Sequence, residues 1–269
     1  MAVNADKMEI SGKVALVTGG ANGIGKAIVE ILLRKEAKGV GILDIDSVNG
    51  QEVTASFQKT FGDERVVFVK CDVTSNEQLK SAFEDIKKKF GRLDIVCNNA
   101  GICNEYDPVK TIATNLIPVI IGTYLAVGLM GTQNGGSGGV VINTASDGGL
   151  FAYKKVPVYT ASKHGVVGFT RAVAKEPNVE ENGVRVSAVC PQRVDTALFA
   201  NLKDTCKYIT EAGQLPMNLI QPSIVAEVVV KLIEEARYNG CACLVSEDNT
   251  MTVVEEPDIP YDKKLKLSS

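Results

Sequence analysis

The chain has 269 residues, of which 23% are charged, and its formal net charge is -3. That length suffices for one α/β domain with a sizeable core, and the charge balance offers no basic field for nucleic acid. A single histidine in the whole chain excludes in practice a Ser–His–Asp hydrolase and zinc sites built on several histidines, and no metal is expected. Seven cysteines, an odd number, are scattered through apolar segments and suit buried thiols in a reducing compartment. The amino terminus, M-A-V-N-A-D-K-M-E-I, lacks an apolar h-region, and Gly, Pro or charge breaks the longest apolar runs. Neither a secretory signal nor a membrane span is therefore expected, and the expected location is the cytoplasm.

Residues 13–17, K-V-A-L-V, read as a buried parallel strand. T-G-G-A-N-G-I-G, Thr18 to Gly25, follows, and a helical pattern runs from Lys26 to Lys35. Strand, glycine-rich turn and helix is the context a phosphate-binding turn requires. Glycines let the backbone approach a pyrophosphate, and the helix amino terminus offers free N–H groups and a positive dipole end. Gly19, Gly23 and Gly25 are spaced G-x-x-x-G-x-G; a tight turn alone would also explain them. The strand at 39–43 ends at Asp44, roughly 20 residues past the turn, where a carboxylate grips both hydroxyls of an adenosine ribose and repels a 2′-phosphate. No lysine or arginine follows Asp44 and Asn22 is uncharged, which favours NAD over NADP. The plain alternative is a solvated aspartate at a strand end.

Residues 48–62 read as a helix closing at Gly62, and 66–70 as a third strand ending in Cys71-Asp72-Val73. Asp72 can meet an adenine amino group or, with Thr74, cap the next helix, whose apolar positions are Leu79, Phe83 and Ile86. A fourth strand, 93–97, runs into Asn98-Asn99-Ala100-Gly101, residues that permit close backbone approach and fixed hydrogen bonds. Residues 109–130 read as one long apolar helix carrying Asn115 and interrupted by Pro118 and Gly122. A buried asparagine there must find partners, either a backbone carbonyl or a water behind Lys163. The loop 133–139 precedes a fifth strand at 140–143.

Ser146 follows that strand, at the sheet edge where ligands of open α/β sheets collect. Tyr159 and Lys163 are four residues apart, so a helix from Val158 onward places both on one face. A fixed ammonium beside a phenol favours the phenolate, so the tyrosine could act as a base nearer neutral pH, with Ser146 bonding the oxygen it deprotonates. The same spacing also occurs in helices as a solvated pair. His164 is one position further round and faces elsewhere. A sixth strand at 184–189 leads into Pro191-Gln192-Arg193-Val194-Asp195-Thr196. Residues 197–219 read as a mobile lid over an apolar substrate, or as an ordinary surface helix pair. A helix at 223–237 and an edge strand at 241–245 follow, with Cys241 and Cys243 packed along that strand; 251–269 are expected to be a loose tail. No repeat or linker is visible, so one domain is expected.

T-G-x-x-x-G-x-G, Asp44, D-V, N-N-A-G, a helix asparagine, serine, Y-x-x-x-K and P-x-x-V-x-T occur in that order. Together they resemble the short-chain dehydrogenase/reductase family over roughly residues 10–250. Segments such as G-R-L-D-I-V-C-N-N-A-G, Q-N-G-G-S-G-G-V-V-I-N and P-V-Y-T-A-S-K-H-G-V-V-G-F-T-R resemble most its prostaglandin-oxidising branch. The resemblance implies a single-domain Rossmann-type fold, a doubly wound parallel sheet of about seven strands with helices on both faces. It implies Tyr159 as acid/base, Ser146 orienting the carbinol oxygen, Lys163 binding the ribose and lowering the tyrosine pKa, and Asn115 holding a relay water. NAD would be lined by Gly19, Gly20, Asn22, Gly23, Ile24, Asp44, Ile45, Cys71, Asp72, Val73, Asn99, Val194 and Thr196, together with Tyr159 and Lys163. A small-molecule alcohol or ketone would be the substrate, and a homodimer or homotetramer the assembly. Two positions depart from the pattern. Gln192 replaces the usual glycine after Pro191, beside the nicotinamide. Val156 stands where prostaglandin-oxidising members carry a substrate-binding glutamine, which points toward more apolar alcohols such as isoprenoids, retinoids or steroids. Ser146, Val156, Tyr159 and Gln192 are thus the expected substrate contacts.

Overall fold

The computed structural model describes residues 7–206 and 218–256. Its strands are β1 (Val14–Thr18), β2 (Gly39–Asp44), β3 (Val66–Lys70), β4 (Ile95–Asn98), β5 (Gly139–Thr144), β6 (Val184–Pro191), β7 (Ala242–Val245) and β8 (Met251–Val254). Its helices are α1 (Gly23–Arg34), α2 (Ser47–Phe61), α3 (Asn76–Phe90), α4 (Pro108–Asn115), α5 (Ile117–Met130), α6 (Pro157–Val173), α7 (Pro177–Glu181), α8 (Ala197–Ala200), α9 (Leu202–Thr205) and α10 (Pro222–Glu234). The strands form one sheet in the order β3-β2-β1-β4-β5-β6-β7-β8, parallel except for β8. Strands such as V-A-L-V-T in β1 are buried throughout, as a sheet covered on both faces demands.

One face buries Val29, Leu32, Phe57, Val229 and Ile233 from α1, α2 and α10. The other buries Leu79, Phe83, Ala126, Met130 and Val173 from α3, α5 and α6. Polar side chains start the helices: the Asp46 carboxylate accepts from the Asn49 N–H at α2, and at α3 it is the Ser75 hydroxyl, in place of the expected Asp72 or Thr74, that accepts from the Gln78 N–H. The strand order reverses between β1 and β4. Crossovers leave in opposite directions there, opening a crevice at the carboxyl ends of those strands.

Three expectations need correction. The sheet has eight strands, and 251–254 form an antiparallel edge strand instead of the start of a loose tail. Asn249 takes a left-handed conformation (φ 63°) and the Ser246 N–H donates to the Thr250 carbonyl, so S-E-D-N-T is a hairpin turn that returns Met251–Val254 onto β7. Residues 257–269 lie outside the described residues. The expected helix 109–130 is two helices, α4 and α5. Pro118 near the start of α5 has no N–H to donate back into α4, and Leu116 between the two helices is distorted within the right-handed helical region, at φ −114° and ψ −52°. By length and composition Pro108–Met130 is apolar enough to cross a membrane. It is broken at Leu116, and it packs Thr111, Asn115, Val119, Thr123 and Met130 into the interior. Of the expected lid, residues 207–217 lie outside the described residues, and 197–206 hold α8 and α9.

A buried polar network ties the layers together beneath the crevice. The Asn98 amide donates to Asn143 Oδ1 (3.0 Å), and the Asn143 amide donates to the Thr170 hydroxyl (3.0 Å). The Thr123 hydroxyl donates to the Val119 carbonyl (2.7 Å) and accepts from Asn98 (3.3 Å). Each member is buried and each is partnered, which is the condition for such a network to stabilise a fold. Asn143→Ala removes the partner of the Thr170 hydroxyl and one of the two acceptors of the Asn98 amide, so the expected loss is about 2–4 kcal/mol of unfolding free energy. Urea denaturation of the purified variant measures it.

Candidate active site

The glycine turn closes the crevice on one side. Gly19 and Gly23 have φ of 63° and 50°, conformations that favour glycine. A Cβ at Gly25 would lie 2.1 Å from the Gly19 carbonyl oxygen, so only a glycine lets α1 start this close to β1. Asn22 gives α1 no side-chain cap and no acidic residue stands in its first turn. The N–H groups of that turn are therefore presented to the crevice, as a pyrophosphate requires. Asp44 ends β2 beside this turn, and its carboxylate accepts from the Ala21 N–H (3.1 Å) and the Asp46 N–H (3.1 Å).

Asn99 joins the turn to the neighbouring strands. Its amide donates to the Thr18 and Gly19 carbonyls (3.1 and 3.4 Å), its N–H donates to the Thr18 hydroxyl (2.9 Å), and its carbonyl accepts from the Thr144 hydroxyl (3.2 Å). Thr18 and Thr144 were not singled out in the sequence, although Thr18 opens the glycine motif. Asp72 does not cap α3, the second of its two readings: one carboxylate oxygen accepts from the Thr74 N–H and hydroxyl (2.9 and 2.7 Å) in the turn before it. The start of α3 itself is capped by Ser75.

On the other side stands α6. Lys163 is 3% exposed, and its ammonium donates to the Thr144 carbonyl at 2.9 Å, fixing the helix to the end of β5. It lies 5.6 Å from the centre of the Tyr159 ring, so the pair shares one helix face. The Ser146 side chain stands beside Tyr159: a Cβ at Gly148 would lie 3.6 Å from the Ser146 hydroxyl and 3.6 Å from the Tyr159 ring. Ser146 in turn donates to Asp147 (2.9 Å) and accepts from the Gly148 N–H (3.2 Å), while the Tyr153 phenol donates to the other Asp147 oxygen (2.6 Å). The Asp147–Tyr153 pair, unforeseen in the sequence, orients the serine.

Burial sets the electrostatics here. It pushes the Tyr159 phenol up, well above the ordinary phenol range, against a lowering by the neighbouring Ser146. It pulls Lys163 down to about 8. The Lys163 ammonium is expected from the sequence to favour the Tyr159 phenolate; in this chain the largest influence on both groups is burial, which favours their neutral forms. Lys163 spends one of its three N–H donors on Thr144, and a cofactor ribose beside it has the remaining two to meet.

Asn115 lies behind this face, at the end of α4. It accepts from the Ile102 N–H (2.8 Å) and donates to the Ile102 carbonyl (2.8 Å) and the Ser162 hydroxyl (3.0 Å), the backbone option of the two considered. A methyl at Gly101 would lie 3.3 Å from its carbonyl oxygen and 3.5 Å from the Lys163 ammonium, so the two groups flank the same backbone. A buried carboxylate, Glu105, was missed entirely. It accepts from the Val158 and Tyr159 N–H groups (3.1 and 2.9 Å) at the start of α6, and it is 53 residues away in sequence, with no local signal to mark it.

These groups line one cleft of about 2020 Å³. Gly19, Asn22, Gly23, Ile24, Asp44 and Ile45 form one end with Cys71, Asp72, Val73 and Asn99. Ser146, Val156, Tyr159, Lys163, Gln192, Val194 and Thr196 form the other. Two expected residues do not line it: Gly20 packs toward Val17 and Ile42, and Asn115 lies beneath the surface. The Gln192 carboxamide accepts from the Glu247 N–H (3.0 Å), so it is anchored to the β7–β8 turn. His164 is exposed, with its ring against the Thr160 carbonyl.

A doubly wound sheet with a glycine turn at its switch point and a Ser-Tyr-Lys group facing it defines a dinucleotide-dependent oxidoreductase fold. The chain belongs to the short chain dehydrogenase family, whose model matches residues 13–207. It is 39% identical over 267 residues to bovine (Bos taurus) 15-hydroxyprostaglandin dehydrogenase [NAD(+)], across 96% of this chain and 100% of that enzyme. It is 41% identical over 270 residues to the enzyme of that name from Mus musculus, across 97% and 100%. Among solved structures, levodione reductase superposes with a TM-score of 0.76 at 26% identity, across 88% of this chain and 96% of the other.

A lysine whose folded pKa is depressed binds its proton more weakly in the native state than in the unfolded one. As pH rises from about 8 to 10.5, the folded form has lost the proton while the unfolded form still holds it, so this group's contribution to stability rises. The stability of wild type relative to Lys163→Met should therefore climb across that window. Paired thermal melts at stepped pH measure it, and a flat difference would show that the amine titrates normally.

Proposed function

We propose that this chain is an NAD-dependent dehydrogenase that oxidises a secondary or allylic hydroxyl of an apolar, lipid-like molecule to the carbonyl. The observation that carries the reading is the convergence of Ser146, Tyr159 and Lys163 with the glycine turn on one cleft. NAD, when bound, supplies the hydride acceptor and a positively charged ring. The α1 amino terminus holds the pyrophosphate, Asp44 the adenosine ribose hydroxyls, and the Lys163 ammonium the other ribose. Ser146 orients the substrate oxygen. Tyr159 Oη takes its proton as the hydride departs, assisted by the ammonium and the serine against the burial that keeps the phenol protonated. Asn115 holds the backbone of Ile102 and, through it, space for a water that relays the proton outward.

Support for NAD comes from the Asp44 carboxylate and from relatives whose names carry NAD(+). Support for a lipid-like alcohol comes from those same names and from Val109, Val156, Leu198 and Phe199 on the cleft wall. Val156 cannot hydrogen-bond a substrate through its side chain, which favours isoprenoid, retinoid or steroid alcohols as the alternative to a prostaglandin. The seven free thiols fit a reducing compartment such as the cytoplasm. Ile117 and Tyr124 on α5 are exposed and offer an apolar face for a homodimer or homotetramer.

Tyr159→Phe should lower kcat by about a hundredfold to ten-thousandfold while leaving NAD affinity near wild type. NADH absorbance across a panel of prostaglandins, retinol, farnesol-type and steroid alcohols reads the first, and fluorescence titration the second. Full turnover by that variant would refute the mechanism. Asp44→Asn keeps the size of the side chain and removes its charge, so NAD should bind roughly tenfold or more weakly and discrimination against NADP should shrink. Titration of both cofactors against both proteins checks it.

A further inference from the structure

Two cysteines face each other across the roof of the cleft. Cys103 lies in the loop after β4 and lines the cleft. Cys206 follows α9, 103 residues later, and their sulfurs are 3.6 Å apart. Both are buried, at 6% and 2% exposure. The two segments run side by side: the Glu105 N–H donates to the Thr205 carbonyl at 2.9 Å. α8 and α9, which Cys206 terminates, contribute Leu198, Phe199 and Leu202 to the cleft wall. The remaining five cysteines have no sulfur–sulfur contact of this kind among the described residues.

We infer that Cys103 and Cys206 form a reversible disulfide latch that pins the α8–α9 roof to the floor of the cleft. The oxidant is a peroxide. The Cys103 thiolate attacks one peroxide oxygen, the O–O bond breaks, and a water leaves with the thiol proton, giving a sulfenic acid. The Cys206 sulfur then attacks the Cys103 sulfur and displaces the hydroxyl as a second water. Two thiols lose two electrons and two protons, and one peroxide becomes two waters. Cys103 is reached through the cleft it lines, and the contact supplies the resolving thiol before further oxidation occurs. Burial and the neighbouring sulfur hold the Cys103 thiol up above the ordinary thiol range, so the reaction accelerates as pH rises. A disulfide needs the sulfurs at about 2.05 Å, so closing the latch draws the roof inward and hinders entry and exit of a bulky alcohol. In a reducing compartment such a bond is transient, as expected of a redox sensor.

The effect on turnover rests on the dehydrogenase reading; the bond itself does not. The full-length protein is treated with hydrogen peroxide, alkylated, digested without reductant and analysed by mass spectrometry. A peptide pair linking Cys103 to Cys206 is expected, and its yield should track a loss of NADH production that dithiothreitol restores. Cys206→Ser and Cys206→Ala should keep their activity under the same treatment. Absence of the linked pair, under conditions that oxidise the half-exposed Cys241, would overturn the inference and leave the dehydrogenase reading intact. A linked pair with unchanged turnover in active enzyme would overturn the latch. A linked pair in a protein that oxidises no alcohol would leave the bond standing and count against the proposed function instead.

Discussion

One asparagine side chain joins the carboxyl ends of three strands, and the cleft depends on it. Asn99 holds Thr18 and Gly19 at the end of β1 and receives the Thr144 hydroxyl from the end of β5. Thr144 is also the residue whose carbonyl takes the Lys163 ammonium. A continuous chain of hydrogen bonds therefore runs from the glycine turn, through β4 and β5, to the face of α6. Parallel strands diverge at this edge because the crossovers on either side leave in opposite directions. Without a tie at the opening, the turn and the helix would be free to drift apart by an ångström or more, and geometry of that precision decides rates.

That chain also explains which parts of the site were legible in the sequence. The glycine turn, Asp44 and the Tyr159–Lys163 pair are local patterns: spacing alone places them on a turn, a strand end and one helix face. The structure brings them together because each follows or faces the carboxyl end of a parallel strand. Glu105, Asp147 and Tyr153 were not legible. Their partners are the N–H groups of α6 and the Ser146 hydroxyl, and no periodicity announces a side chain that works on a distant helix start or orients a neighbour. The break between α4 and α5 was signalled by Pro118, yet the apolar run around it read as continuous. β8 was hidden because four residues of apolar sequence after a polar turn carry too little pattern to be told from a tail.

The balance of charge in the cleft is governed by burial more than by pairing. Tyr159 and Lys163 are close, yet each is displaced in the direction desolvation dictates: the phenol toward its neutral form, the amine toward its neutral form. Proximity of a cation to a phenol lowers its pKa only by the difference between that attraction and the loss of water around both groups. Within the chain itself, burial favours the neutral form of both groups.

The strip Cys103 to Glu105 shows how the roof and the catalytic helix are coupled. Its first residue touches Cys206, its last donates a backbone hydrogen bond to Thr205 and offers its carboxylate to the Val158 and Tyr159 N–H groups. Ile102, immediately before it, is held at both its N–H and its carbonyl by Asn115. Four consecutive residues thus contact the buried helix end of α4, the last residues of the α8–α9 roof and the first turn of α6. The residue that meets the roof at Thr205 is the same Glu105 whose carboxylate accepts from the Val158 and Tyr159 N–H groups. The roof contacts and the Glu105 contacts to the α6 start thus lie on one span whose preceding residue Asn115 holds at both backbone groups.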